Sequence, residues 1–304
     1  MKIVSLLPSA TEIVYALGLG DQLEAVTDEC DYPPEAREKP VVSRSALPSG
    51  RPLSAREIDD AVRARMDQKE PLYLLDRQLI QRIQPDVILS QDLCRVCAVP
   101  SGQVEDALAE LGVTSKVLSL DPNTLEEVVT SIATVGNLLG AAERAEELVA
   151  SLRGRVEKVR RTALGVPSVR VLALEWSDPP FAGGHWVPDM VEIAGGTNLL
   201  SEKGQPSREV KWREIADATP EVVVFMPCGY YLDEAEDEAF RLYAHPDFAA
   251  TPAAREGSVF AVDASAYFSR PGPRIVDGLE ILAWAVHPEV YPEPSPDAIV
   301  RVER

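Results

Sequence analysis

Residues 138–164 read LLGAAERAEELVASLRGRVEKVRRTAL. The stretch has no proline, and Leu138, Ala142, Ala145, Leu148, Leu152, Val156 and Val159 recur every three to four residues. That period predicts one long amphipathic helix. Its position in the chain decides the fold. Apolar, β-rich runs precede it at 2–7 (KIVSLL), 24–27 (EAVT), 87–90 (VILS) and 116–120 (KVLSL). Others follow it at 169–176 (VRVLALEW), 222–226 (VVVFM) and 259–263 (VFAVD). Helical patterns lie between them, over 10–18, 55–67, 101–111 and 273–286. Strands alternating with helices predict parallel sheets covered on both faces. The expected fold class is therefore α/β. Two lobes, 1–137 and 165–304, would be joined by the 138–164 helix. The alternative is one large sheet with this helix packed on it; the early return to a strand at 169 favours two lobes.

Local signals support the helix starts. Ser54 is followed three residues on by Glu57, and Ser9 by Glu12, the spacing of a capping box. The insert at 44–75 reads as loop, polar helix and loop, long enough to act as a lid or a surface excursion.

Composition narrows the function classes. Hydrophobic residues make up 45% of the 304 residues, and no apolar run approaches a membrane span. The formal charge of −19 disfavours nucleic acid and anionic membranes as partners. A secretory leader needs a charged start and a longer apolar stretch than Lys2 to Leu7 provides, so the expected location is cytoplasmic. An upstream leader would make it periplasmic or lipid-anchored.

The chemistry-bearing residues are few. There is no G-x-S-x-G elbow, and a glycine-rich phosphate turn does not follow the first strand, so neither a serine hydrolase nor a dinucleotide enzyme is expected. Of three histidines, His245 and His287 each precede a proline and read as turn residues. His185 sits between Gly183-Gly184 and Trp186, past a strand end where open α/β sheets present ligands. Cys30, Cys94, Cys97 and Cys228 all fall on loops after predicted strands. Soft thiolates in one place would suit zinc, an iron–sulfur cluster or another soft metal; the competing reading is four small unreactive residues. Flat rings also gather on predicted loops: Trp176, Phe181, Trp186, Trp212, Tyr230, Tyr231, Tyr267 and Phe268, with Tyr32 and Tyr73 in the first half. Such rings suit a large planar ligand, or they close the core beneath long loops.

Taken in order, SLLPSATEIVYALG, CDYPP, PDVILS, AGGHWVPDMVEIAGGTNLL, VKWREIADATPEVVVF and YFSRPGPRIVDGLEIL span almost the whole chain. Together they resemble the cobalamin and iron-siderophore class of ABC-transporter substrate-binding proteins, most closely its cobalamin-binding branch. The resemblance implies two Rossmann-like lobes with parallel sheets joined by one long α-helix, a ligand cleft between the lobes, and no catalytic turnover. It implies a cleft lined by Pro8, Ser9, Ala10 and Tyr32 from the first lobe. From the second lobe it implies Trp176, Phe181, Trp186, Trp212, Tyr267, Phe268 and Arg270. Cobalamin or another corrinoid would be the ligand.

The resemblance also implies a permease docked through one acidic residue on each lobe. The best-matching positions are Gln78 and Arg213, with Asp76 and Glu214 beside them. This neutralises one docking charge and reverses the other, which would weaken the contact. The expected protein is thus a monomeric, cytoplasmic, corrinoid-binding relative of the transport receptors. The alternatives are a thiol-ligated metal or cluster protein, and an ABC-transporter receptor for an iron-siderophore or haem.

Overall fold

The computed structural model describes residues 1–48, 51–93 and 99–303. The chain forms two compact units: Met1–Pro122 with Thr130–Val149, and Asn123–Val129 with Ala150–Arg304.

The first unit contains β1 (Ile3–Ser5), β2 (Leu23–Thr27), β3 (Val41–Ser45), β4 (Tyr73–Leu75), β5 (Val87–Ser90) and β6 (Lys116–Ser119). Among the described residues they form one sheet in the order β4-β3-β2-β1-β5-β6. Every pair is parallel except β3 with β4. The central strand β1 is buried throughout, as the Ile-Val run requires when helices cover both faces. Val4, Ala25, Val42, Ile80, Ile88 and Val104 meet in a core on one face of this sheet. Burying each aliphatic side chain of that size contributes roughly 1.5–3 kcal/mol before entropy is charged against it.

The second unit contains β7 (Val169–Ser177), β8 (Pro180–Ala182), β9 (Gly196–Asn198), β10 (Arg208–Glu209), β11 (Val222–Phe225), β12 (Val259–Val262) and β13 (Ile299–Arg301). The sheet order is β10-β8-β7-β11-β12-β13, with β9 also paired to β7. β7, β11 and β12 are parallel, whereas β8, β10 and β13 pair antiparallel at the two sides. The sheet is mixed, where an all-parallel one was expected. The added strands are two or three residues long, too short to show an alternating pattern in the sequence.

The stretch 138–164 is not one helix. Leu138 ends the helix Leu125–Leu138, and a second helix runs Ala142–Ala163. Gly140 between them has φ 72°, the left-handed conformation that terminates a helix without steric cost. A Cβ on Gly136 would lie 2.3 Å from the Ala145 Cβ, so a glycine is what lets these helices approach. Both helices pass from one unit into the other, and with the passage at Pro122–Asn123 the chain crosses at three places where one was expected. Within the second unit, Arg155 clamps the longer helix to the helix Ile275–Val286. Its Nη2 is 2.7 Å from Glu280, with Asp277 as a second partner. These two acids hold the guanidinium above its ordinary pKa, the Glu280 hydrogen bond contributing most.

Candidate functional site

In the first unit, β1 runs almost directly into the helix Pro8–Ala16. Leu7 is the N-cap and Pro8 takes the first helical turn, where a fixed φ and a missing N–H carry no penalty. The expected Ser9–Glu12 capping box is therefore absent. Ser9 already lies inside the helix and makes no capping bond, and Glu12 is buried. Pro8, Ser9 and Ala10 are all buried, and the first backbone bond of the helix runs from the Thr11 N–H to the Leu7 carbonyl. The Ser54–Glu57 box, by contrast, is formed in full at the start of the helix Ala55–Asp67.

Cys30 follows β2 and is buried, with its Sγ 3.0 Å from the Thr11 hydroxyl. Tyr32 is 45% exposed, just before a cis peptide to Pro33. Cys94 and Cys97 lie outside the described residues. Cys228 follows β11 in the second unit and is exposed. Among the described residues, no group of three or more His, Cys, Asp and Glu side chains is placed to hold a metal ion. The geometry thus lends the thiol–metal reading no support.

The second unit gathers most of its expected residues at the C-terminal ends of β7, β11 and β12. Leu174 pairs with Ala182 and Trp176 with Phe181, so β7 carries one extra residue, Glu175, as a bulge. The Trp176 ring meets Tyr230 edge-on at 5.5 Å, in the loop after β11. The Tyr230 carbonyl accepts from Ser265 N–H, at the start of the short helix Ala264–Tyr267 after β12. Phe268 caps that helix, and its carbonyl accepts from the Trp186 indole at 2.9 Å. The links close on the β8 turn that carries Phe181, His185 and Trp186. Arg270 is buried next in the chain, and Arg274 stacks over Tyr267 at 5.8 Å.

Burial shifts two titratable rings of this group toward their neutral forms. Burial, with Glu238 and Glu234 adding, pushes the Tyr230 hydroxyl up to about 12, so it remains a donor at physiological pH. Burial lowers the His185 pKa, favouring a neutral imidazole. His185 is held at φ 51°, and its ring centroid is 5.7 Å from that of Trp186. Histidine tolerates this backbone region better than most side chains, but it still marks a position fixed by its surroundings.

Trp212 sits apart from this group. It stacks on His245 at 4.6 Å and meets Phe248 edge-on, against the core beneath β7 and β11. In the helix Trp212–Ala218 it is partly buried, with one side packed on that core. Two residues that sequence reasoning passed over are central: Glu175 and Ser207, whose hydroxyl donates to the Glu175 carboxylate. The available signal was a single acid in the apolar run VRVLALEW. Open depressions of ≈ 870 Å³ along Leu200–Glu209 and ≈ 930 Å³ between Met66 and Gln103 are lined by none of the residues expected in the ligand site.

A sequence-family match over residues 3–266 agrees with this arrangement of sheets. The chain belongs to the periplasmic binding protein family. Like its family, this chain is a non-catalytic solute-binding protein. It is 25% identical over 285 residues to a vitamin B12-binding protein of Vibrio cholerae, covering 92% of this chain and 86% of that one. It is 23% identical over 299 residues to an ABC transporter substrate-binding lipoprotein, YvrC, of Bacillus subtilis, covering 96% and 82%. Among solved structures, a periplasmic haem-binding protein of Pseudomonas aeruginosa superimposes with a TM-score of 0.75 at 21% identity, covering 100% and 98%. The vitamin B12-binding protein BtuF of V. cholerae gives 0.68 at 23% identity, covering 94% and 96%.

These likenesses do not support the expected cytoplasmic location, since the family is described as periplasmic and the B. subtilis relative as a lipoprotein. No helix among the described residues is long and apolar enough to cross a membrane. At the candidate docking positions, Gln78 and Arg213 are exposed. Asp76 caps the helix Arg77–Ile83 through the Leu79 N–H at 2.8 Å. Glu214 accepts from the Lys211 N–H at 2.8 Å and pairs with Arg208, and these two partners, in that order, depress its pKa.

Proposed function

We propose that this periplasmic-binding-family protein captures cobalamin or a closely related corrinoid, without catalytic turnover. The observation that carries the reading is the linked set Trp176, Tyr230, Phe268 and Trp186 at the ends of β7, β11 and β12. Rigid rings with few rotatable bonds give contact area at little entropic cost, which suits a flat macrocycle. Three features add polar recognition. Tyr230 keeps its proton, Arg270 is buried close by, and in the first unit the Ser9 and Ala10 N–H groups precede the first intrahelical bond. Amide arms and a phosphate-bearing tail call for such donors. The named vitamin B12-binding relatives support the same ligand class.

Tyr32, Phe181, His185 and Tyr267 complete the proposed contact set, with Trp212 supporting it from the core side. At a permease, Gln78 and Arg213 would present altered charges, with Asp76 and Glu214 already engaged within the chain. Docking is accordingly expected to be weak.

Titration with cyanocobalamin tests the reading. Bound corrin should quench tryptophan fluorescence and shift its own visible bands. Absence of binding at ~100 μM ligand, a concentration at which even a weak site registers, overturns it. A parallel titration with haemin separates corrinoid from porphyrin selectivity.

A further inference from the structure

The β8 turn carries Phe181, His185 and Trp186, yet its own sequence, Gly183-Gly184-His185, has little to hold it in one shape. What holds it lies elsewhere in the chain. The His185 N–H donates to the Gln205 carbonyl at 2.6 Å, and the Gly204 N–H donates back to the His185 carbonyl at 3.0 Å. Gly184 is pressed so closely on this second loop that a Cβ would sit 2.2 Å from the Ser207 nitrogen. These contacts join two loops to each other. The carboxyl of Glu175, on β7, ties the second loop to the sheet by accepting from the Ser207 hydroxyl, and it also interacts with the Gly184 N–H of the turn. The bulge in β7 is what frees Glu175 from the regular alternation and lets it reach them. Desolvation raises its pKa against the pull of these two partners, although the side chain as a whole is only half-buried.

We propose that Glu175 is the positioning residue of the ligand-side turn: its carboxyl, bridging the Gly184 N–H and the Ser207 hydroxyl, preorganises His185 and Trp186 before ligand arrives. The claim deepens the corrinoid reading but can be tested without it. In this account Glu175 touches no ligand. Removing it lowers the fraction of molecules whose turn is competent, which slows association and leaves dissociation almost unchanged. A residue in direct contact would act mainly on dissociation.

The experiment compares wild type, Glu175→Ala and Glu175→Gln in two measurements. Without ligand, hydrogen exchange at the amides of 183–186 and 204–207 is followed by mass spectrometry or NMR. Glu175→Ala should exchange about tenfold faster there, the loss expected for about one buried hydrogen bond, with protection of β11 and β12 retained. Glu175→Gln keeps an acceptor for Gly184 and a partner for Ser207, and should restore protection. With cyanocobalamin as probe, stopped-flow association should slow by about the same factor in Glu175→Ala, and recover in Glu175→Gln. Unchanged exchange and unchanged association in Glu175→Ala overturn the proposal. So does a loss confined to faster dissociation. If wild type binds no cyanocobalamin, the corrinoid reading fails, and the exchange comparison alone decides whether the clip exists.

Discussion

The two units solve the same problem, carrying a strand into a helix at the C-terminal edge of a sheet, in different ways. In the first, only Leu6 and Leu7 separate β1 from the helix that begins at Pro8. Both leucines are buried, the cap is backbone, and no side-chain hydrogen bond is involved. In the second, residues 178–186 separate β7 from the helix Val187–Ile193. That interval completes a hairpin and holds a glycine pair and a left-handed histidine, and it is steadied by partners at 204–207 and 268, with Ser207 in turn bonded to Glu175 of β7. A junction built from local apolar burial is robust and tells a ligand little. A junction built from distant polar partners is costlier to hold and can be shaped for one ligand.

The sharpest way to break that contrast is through the glycines. A Cβ on Gly184 would meet only backbone, with the Pro206 carbonyl carbon at 2.5 Å and the Gln205 oxygen at 2.6 Å in addition to Ser207. Backbone cannot swing aside, so Gly184→Ala should cost about 3 kcal/mol in urea denaturation. Its counterpart near the first junction, Gly18, has φ 66° and faces only the tip of Arg144. Gly18→Ala should cost about 1 kcal/mol, the left-handed penalty alone. Equal costs would mean that the second turn is no more constrained than an ordinary helix end.

A smaller effect separates conformation from chemistry at His185. Valine, branched at Cβ, is excluded from φ 51°, whereas glycine accepts it. His185→Val should be about 2 kcal/mol less stable than His185→Gly, while both lower affinity for cyanocobalamin by removing the same ring. Identical stabilities would show that the turn relaxes freely.

The Glu175 clip adds a pH signature. Its folded pKa is raised, chiefly by desolvation, so the folded state holds a proton that the unfolded chain has released. The stabilising contribution is fully present below the ordinary carboxylate range and is lost as pH rises through the folded pKa. Glu175→Gln cannot ionise. Its urea midpoint, followed from about pH 4 to 8, should gain steadily on wild type, and a constant difference would place the carboxyl in water.

The same contrast explains what the sequence revealed. β1, β5, β7, β11 and β12 are buried apolar runs, legible because each needs only its own residues to announce itself. The capping box at Ser54 is legible for the same reason: donor and acceptor are three residues apart. The long helix is legible, but leucine and alanine continue its period across Gly140 and hide the true start at Ala142. The edge strands β8, β10 and β13 were not legible, since two or three residues carry no period and exist through their neighbours. At the candidate site, the aromatic residues could be gathered by type. Their arrangement could not: Trp186 follows a glycine pair and Trp212 a polar loop, and only packing buries the first against Phe268 and stacks the second, half-buried, on His245. Glu175 was visible as an odd charge in an apolar run, but its partners Gly184 and Ser207 lie 9 and 32 positions away along the chain.

The smallest predicted effect bears on the first junction. Ser9 has the residue type and spacing of a capping serine, yet it lies within the helix and the N-cap is Leu7. If apolar burial and Pro8 alone set this helix start, Ser9→Ala removes nothing the fold uses. Alanine is also the better helix former, so stability should stay within about 0.5 kcal/mol of wild type. A true N-cap would lose about 1 kcal/mol or more, as Ser54→Ala should at its own complete box. Measured side by side, these two serines ask whether the first junction is apolar. A loss at Ser9 equal to that at Ser54 would give the first unit a polar hinge of its own, and the difference between the two junctions would reduce to length.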